Sequence, residues 1–223
     1  MRDLPQRGMA MTSEFSAQAA VRADSAQRRR IVVGISGASG AIYGIRLLTL
    51  LRRMDVESHL VVSKSAQLTL ASESSLRLAD VQALADVSYS NANIGAAIAS
   101  GSFHADGMVI APCSIKTLSE IATGCTTSLL SRAADVTLKE RRRLVLMVRE
   151  TPLHAGHLRS MAAVTDCGGI IYPPVPAFYA HPANIEDLVD YTVARVLDLF
   201  DLQTQVAGRW TGMHRASTRS QTV

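Results

Sequence analysis

Aromatic residues are scarce in this 223-residue chain: Phe, Tyr and Trp make up 4%, with one Trp. Proteins that bind single-stranded nucleic acid stack bases on aromatics interleaved with basic side chains, so that class of partner is set aside. Cysteine is scarce as well. Cys113, Cys125 and Cys167 are odd in number and have no C-x-x-C spacing, which argues against a disulfide framework and a tetrahedral zinc site and fits a reducing compartment, the cytoplasm. No apolar run approaches the ~20 residues that span a bilayer, so no membrane segment is expected. A strong charge of one sign is also missing from most of the chain. The formal net charge is +4, but residues 1–30 hold six arginines against Asp3, Glu14 and Asp24, and the rest has 17 basic and 16 acidic residues.

What is present is 48% hydrophobic residues, enough for a packed core at this length. Residues 1–30 have no periodic apolar pattern and no signal-peptide core, and read as a disordered extension. Residues 31–202 read as one α/β domain, and 203–223 as an arm and tail. Ile31-Val32-Val33 is expected as a buried strand, followed by a loop over 34–40 and a helix over about 41–54, with Gly44, Leu47, Leu48 and Leu51 on one face. Further apolar runs at 56–62, 108–111 and 144–148 read as strands. Continuous Val/Ile/Leu strands separated by helices imply a doubly wound, mostly parallel sheet covered on both faces, a Rossmann-like or flavodoxin-like three-layer sandwich. Ligands of such folds sit outside the carboxyl ends of the strands. That draws attention to Gly37-Ala38-Ser39-Gly40, Ser63-Lys64, Pro112-Cys113-Ser114 and Arg149-Glu150.

The glycine-rich loop has neither G-x-G-x-x-G nor G-K-[ST], which counts against ordinary NAD binding and ATP hydrolysis. A mononucleotide such as FMN, its phosphate met by N–H groups at the following helix start, fits; so does a tight turn holding no ligand. Arg132 and Lys139, seven residues apart, share a helical face and are either a phosphate-binding pair or surface charges. Arg141-Arg142-Arg143 reads as a solvated helix end, where cations suit the dipole. Arg195 is out of place on an apolar stripe with Leu188, Thr192 and Leu199, and a charge there needs a partner. Glu73 and Glu150 are candidates for proton transfer, although an exposed glutamate is the commoner fate. His154 and His157 have a spacing that can hold a metal, but no companion ligand is spaced to join them, and a non-metal reading is preferred.

Several longer motifs occur in order: Gly34 to Ala41, Ser63-Lys64, Ala99 to Phe103, Ala111 to Ser114, Arg132 to Arg142, Leu144 to Leu153, Pro173 to Tyr179 and Val193-Ala194-Arg195. Together, over about 31–212, they closely resemble the flavin prenyltransferases. The resemblance implies transfer of a dimethylallyl group from dimethylallyl phosphate to N5 and C6 of reduced FMN, without a metal, giving the prenylated FMN used by a partner decarboxylase. It implies that Gly37, Ala38, Ser39, Ser63, Ser114, Ile115, Lys116, Thr117 and Arg149 hold the flavin. Arg132, Lys139, Tyr179 and Arg195 would clamp the isoprenyl phosphate. Glu150 would move a proton near that phosphate, with Glu73 and Ser39 handling protons at the flavin ring and Trp210 covering the prenyl site. It also implies a homododecamer with active sites between subunits.

Two departures from the family pattern stand out. Thr126-Thr127-Ser128-Leu129 places Ser128 where relatives usually have Asn, and Ile115-Lys116 adds bulk and charge to a loop that relatives keep smaller. The rival readings are an FMN-dependent cysteinyl-type decarboxylase of the same fold and a non-catalytic flavin carrier. The first uses a histidine before the strand at 107–111 where this chain has Ile98 and Ala99, and the second has no need of Glu150, Lys139 and Tyr179.

Overall fold

The computed structural model describes residues 28–206. Trp210 and most of both tails lie outside the described residues. Six strands form one sheet in the order β3-β2-β1-β4-β5-β6: β1 Arg30–Ile35, β2 Glu57–Val62, β3 Val87–Ser90, β4 Gly107–Cys113, β5 Arg143–Val148 and β6 Ile170–Ile171. Every pairing is parallel. Seven helices are described: α1 Ala41–Arg53, α2 Lys64–Glu73, α3 Leu78–Gln82, α4 Ile115–Thr123, α5 Leu129–Lys139, α6 Ala155–Asp166 and α7 Ile185–Asp198. The doubly wound sandwich read from the sequence is the fold observed.

Period two along the strands explains the two cores. Ile31, Val33 and Ile35 of β1 face one side with Leu47, Leu48 and Leu51 of α1 and Val189, Val193 and Leu197 of α7. Val32 faces the other side, with Leu118 of α4 and Leu129, Leu130 and Ala134 of α5. Burying one such aliphatic side chain stabilises the fold by about 1.5–3 kcal/mol. Helices α5 and α7 therefore lie on opposite faces of the sheet.

Strand boundaries differ from the sequence expectation in one informative way. Gly34 and Ile35, read as loop, belong to β1, because Gly34 is in register with both Val61 and Ile110. A side chain at Gly34 would meet Leu130 Cδ1 at 2.5 Å, so its glycine lets α5 lie directly on the sheet. Gly44 does the same for α1, since a Cβ there would sit 2.4 Å from the Ala111 carbonyl oxygen. The order of strands makes β1 and β4 neighbours whose following connections run to opposite sides. This is the topological switch point, where open α/β sheets bind ligands.

Candidate active site

The loop after β1 is tied to the end of β4 by Ser36. Its N–H and Oγ both donate to the Pro112 carbonyl, at 3.1 and 2.9 Å, and its Oγ accepts the Ser114 N–H at 2.7 Å. Gly37 packs against the start of α2: a Cβ there would collide with Ser65 Oγ at 2.3 Å. Ser63 caps α2, its hydroxyl accepting the Ala66 N–H and lying 3.1 Å from Ser65 Oγ. Gly37, Ser39, Ser63 and Ser114 are thus brought to one end of the sheet.

Glu73, the last residue of α2, reaches back to this loop. Its Oε2 accepts the N–H groups of Gly40 at 2.9 Å and Ala41 at 3.2 Å, the first amides of α1. Partial burial pushes its pKa up, but hydrogen bonds from Ser39, Gly40 and Ala41 and the charge of Arg149 outweigh that and hold it below the usual carboxylate range. The sequence reading left this helix start to a phosphate or to a tight turn holding no ligand, and here the carboxylate of Glu73 accepts its first amides. Anion-binding capacity lies at α4. Ser114 caps α4 through Thr117 N–H, and the first regular bond runs from Leu118 N–H to the Ser114 carbonyl, so the amides of Ile115 and Lys116 precede the ladder. Ile115 packs on the core and Lys116 pairs with Glu120 at 2.7 Å, so the two unusual side chains leave the backbone of this turn in helical form. Arg149 follows β5 and its N–H donates to the Cys113 carbonyl, while Glu150 is exposed and accepts the Thr151 N–H at 3.0 Å. Buried Cys113 has its thiol pKa pushed far up by desolvation, which removes it as a nucleophile.

The four groups expected around the isoprenyl phosphate fall into two pairs. Arg132 and Lys139 lie on α5: Arg132 bridges Asp135 at 2.7 Å and donates to the Ala99 carbonyl, and Lys139 pairs with Glu140. Tyr179 and Arg195 lie on the α7 side. Tyr179 and Tyr191 share a 2.6 Å hydroxyl contact, and Arg195 sits over the Tyr191 ring and bridges Asp198 at 2.6 Å. The partner that Arg195 needs is thus Asp198, although its buried Nε finds no acceptor among the described residues. Within one chain the two pairs stand on opposite faces of the sheet.

Sequence reasoning missed three features here. Arg142 is not a solvated charge: it is half-buried and donates to the carbonyls of Gly101 and Phe103. Asn91 accepts the N–H groups of both Leu129 and Leu130, through its carbonyl and its Oδ1, and so fixes the start of α5. Ser128 completes that start, its hydroxyl accepting the Ser131 N–H. Ser128 and Asn91 also line a cavity of about 620 Å³ with Lys64, Tyr89 and Ser90, at the carboxyl ends of β2 and β3. His154 caps α6 by accepting the Gly156 N–H and stacks on His157 with ring centroids 3.6 Å apart. Among the described residues no group of three or more His, Cys, Asp or Glu is arranged to hold a metal.

The Flavoprotein family model matches residues 20–197. The chain is 56% identical to the flavin prenyltransferase UbiX of Thauera aromatica over 183 residues, 82% of this chain and 94% of that one. It is 57% identical to the UbiX of Escherichia coli K12 over 187 residues, 82% and 99% of the two chains. The chain belongs to the flavin prenyltransferase family. A crystal structure of AnUbiX (PadA1) with FMN and dimethylallyl pyrophosphate superposes with a TM-score of 0.83 and 53% identity, over 84% of this chain and all of that one. A dodecameric FMN-dependent UbiX-like decarboxylase from Escherichia coli O157:H7 gives 0.81 and 49% identity over 82% and 100%. The FMN-dependent cysteine decarboxylase TvaF, at 16% identity and a TM-score of 0.55 over 66% of this chain and 90% of that one, shares the fold alone.

Proposed function

We propose that the protein transfers the dimethylallyl group of dimethylallyl phosphate to N5 and C6 of reduced FMN, and that the prenylated FMN serves a partner decarboxylase. The observation that carries this reading is the single polar end of the sheet. There the switch-point loop, Glu73, Arg149 and the free first turn of α4 converge, in a chain that follows a flavin- and prenyl-diphosphate-bound relative over its full length. The residues fit a flavin mononucleotide: the α4 start offers amides to a phosphate, and Gly37, Ala38 and Ser39 offer a close backbone approach. Reduced FMN, as acceptor, supplies the two nucleophilic positions.

The chain's own groups do the rest. Arg132, Lys139, Tyr179 and Arg195 hold the leaving phosphate and stabilise the charge that develops on it. Glu150 exchanges a proton near that phosphate. Glu73, held ionised, accepts or returns one through Ser39 at the flavin. Each clamp cation has a carboxylate neighbour, Asp135, Glu140 or Asp198, and a bound phosphate replaces that neighbour as the main partner. Since α5 and α7 lie on opposite faces, the clamp closes when one subunit supplies Arg132 and Lys139 and another supplies Tyr179 and Arg195. That is the arrangement expected of a homododecamer with shared sites. Its three free cysteines suit the cytoplasm.

The test is anaerobic incubation of the protein with reduced FMN and dimethylallyl phosphate, followed by mass analysis of the released flavin. A flavin heavier by one five-carbon unit is expected. Unmodified FMN with both the phosphate and the diphosphate donor refutes the reading.

A further inference from the structure

A cavity of about 770 Å³, larger than the one at the flavin end, opens at the opposite end of the sheet, where β1, β4, β5 and β6 begin. The apolar part of its lining includes Ile170 and the almost fully buried Phe200. Gly107 makes this surface possible, because a Cβ there would meet Phe200 Cε1 at 2.8 Å and the Arg143 carbonyl oxygen at 2.2 Å. Three consecutive guanidinium groups, Arg141, Arg142 and Arg143, line the same cavity, together with Arg29 and His104.

The lining carboxylates are already committed. Asp106 accepts from Arg29 Nε at 3.0 Å and from the Arg30 N–H at 2.8 Å, and Glu140 pairs with Lys139. Arg142 is oriented by the carbonyls of Gly101 and Phe103, which fix its direction without cancelling its charge. Arg143 lies 5.8 Å from the Phe200 ring centroid, and its nearest carboxylate, on Asp201, is 3.9 Å away and 89% exposed. Arg141 makes no ion pair among the described residues and sits in a left-handed turn with φ 57°. Neighbouring like charges beside a low-dielectric wall repel each other, and an anion relieves that repulsion. Planar guanidinium forks beside the half-buried aliphatic side chains of Leu138 and Ile170 match a phosphoryl or carboxylate head carried on a compact apolar body.

We propose that this amino-end cavity is a second ligand site of the protein, which binds a small organic anion with its acidic head on Arg141, Arg142 and Arg143 and its hydrocarbon part on the half-buried Ile170 and Leu138. The flavin belongs to the opposite, carboxyl end of the strands, whereas Lys139 of the proposed clamp adjoins this cavity through its pair with Glu140.

The test is calorimetric titration of the FMN-loaded Arg132→Gln protein, in which the flavin phosphate position is occupied and the proposed clamp is disabled while the Lys139–Glu140 pair is kept. The probes are phenyl phosphate, benzoate, inorganic phosphate and benzyl alcohol. Saturable binding of phenyl phosphate or benzoate is expected, the tighter of the two identifying the preferred head, with inorganic phosphate and benzyl alcohol weaker. Arg143→Gln is expected to weaken that binding about tenfold, the size of one charge-assisted hydrogen bond. Arg141→Gly, added because glycine suits the left-handed turn and so folds readily, is expected to weaken it as well. Absence of binding, equal binding of inorganic phosphate, or affinity unchanged in both variants overturns the proposal.

Discussion

Replacing Glu73 by alanine tests whether the flavin-end loop is held together by one carboxylate. The side chain accepts two helix N-terminal amides, from Gly40 and Ala41, and the Ser39 hydroxyl. Losing an N-terminal acceptor costs about 1 kcal/mol, and losing a negative charge from the positive end of a helix dipole adds about 0.3–1 kcal/mol. The sum, roughly 1.5–2 kcal/mol, corresponds to a fall in Tm of about 3–8 °C for a domain of this size. The measurement is urea unfolding of FMN-free protein, so that ligand binding does not mask the difference. Glu73→Gln, which keeps an acceptor and loses the charge, is expected to cost only the dipole part.

The pH dependence has a definite sign. The folded pKa of Glu73 lies below the ordinary unfolded value of about 4.3, so the stabilisation is complete above that value and disappears as pH falls through the folded pKa. The gap between wild type and Glu73→Ala is therefore widest at neutral pH and narrows below about pH 4. A loss under about 0.5 kcal/mol at pH 7, or a gap unchanged between pH 7 and pH 3, would refute the assignment of Glu73 as the ionised cap of α1.

Two further outcomes follow from the α5 start and the divided clamp. Ser128→Ala removes the hydroxyl that caps Ser131 N–H and is expected to cost about 1 kcal/mol, while Ser128→Asn retains a cap and keeps wild-type stability; paired denaturation curves check this. Lys139→Ala and Arg195→Ala are each expected to abolish most prenyl transfer, yet a co-assembled 1:1 mixture should recover about a quarter of the sites if each site draws on two subunits. Activity of the mixture no higher than that of either variant alone would place both residues in the same subunit's site.

Much of the fold was legible because the central strands are continuous apolar runs. Ile31 to Val33, Met108 to Ala111 and Leu144 to Val148 announce themselves by composition, and a parallel sheet buried on both faces needs such runs. The edge strands did not. β3 reads Val-Ser-Tyr-Ser and is mostly exposed, and β6 is two half-buried residues, so neither carries an apolar signal. Gly34 misled for a different reason. A glycine between strand and helix looks like a turn, and only the close approach of Leu130 from α5 shows why a strand residue there must lack a side chain. Glu73 was picked out by its position, but its bond to the α1 amides joins residues 33 apart, and no local spacing encodes that.

The proposed phosphate clamp shows where local reading ends. Seven-residue spacing correctly puts Arg132 and Lys139 on one helix, and an apolar stripe correctly marks Arg195 as a charge needing company. The same local chemistry then supplies each with a near neighbour in sequence, Asp135, Glu140 and Asp198. Partly exposed pairs of this kind are worth little, about 0–1 kcal/mol, so they hold the cations in place without strongly binding them. A doubly charged phosphate reaching several of these cations at once outcompetes such neighbours. One chain cannot bring them together, because the sheet lies between α5 and α7, so on the proposed reading assembly completes the site, and the affinity for the phosphate is expected to rise with oligomer formation.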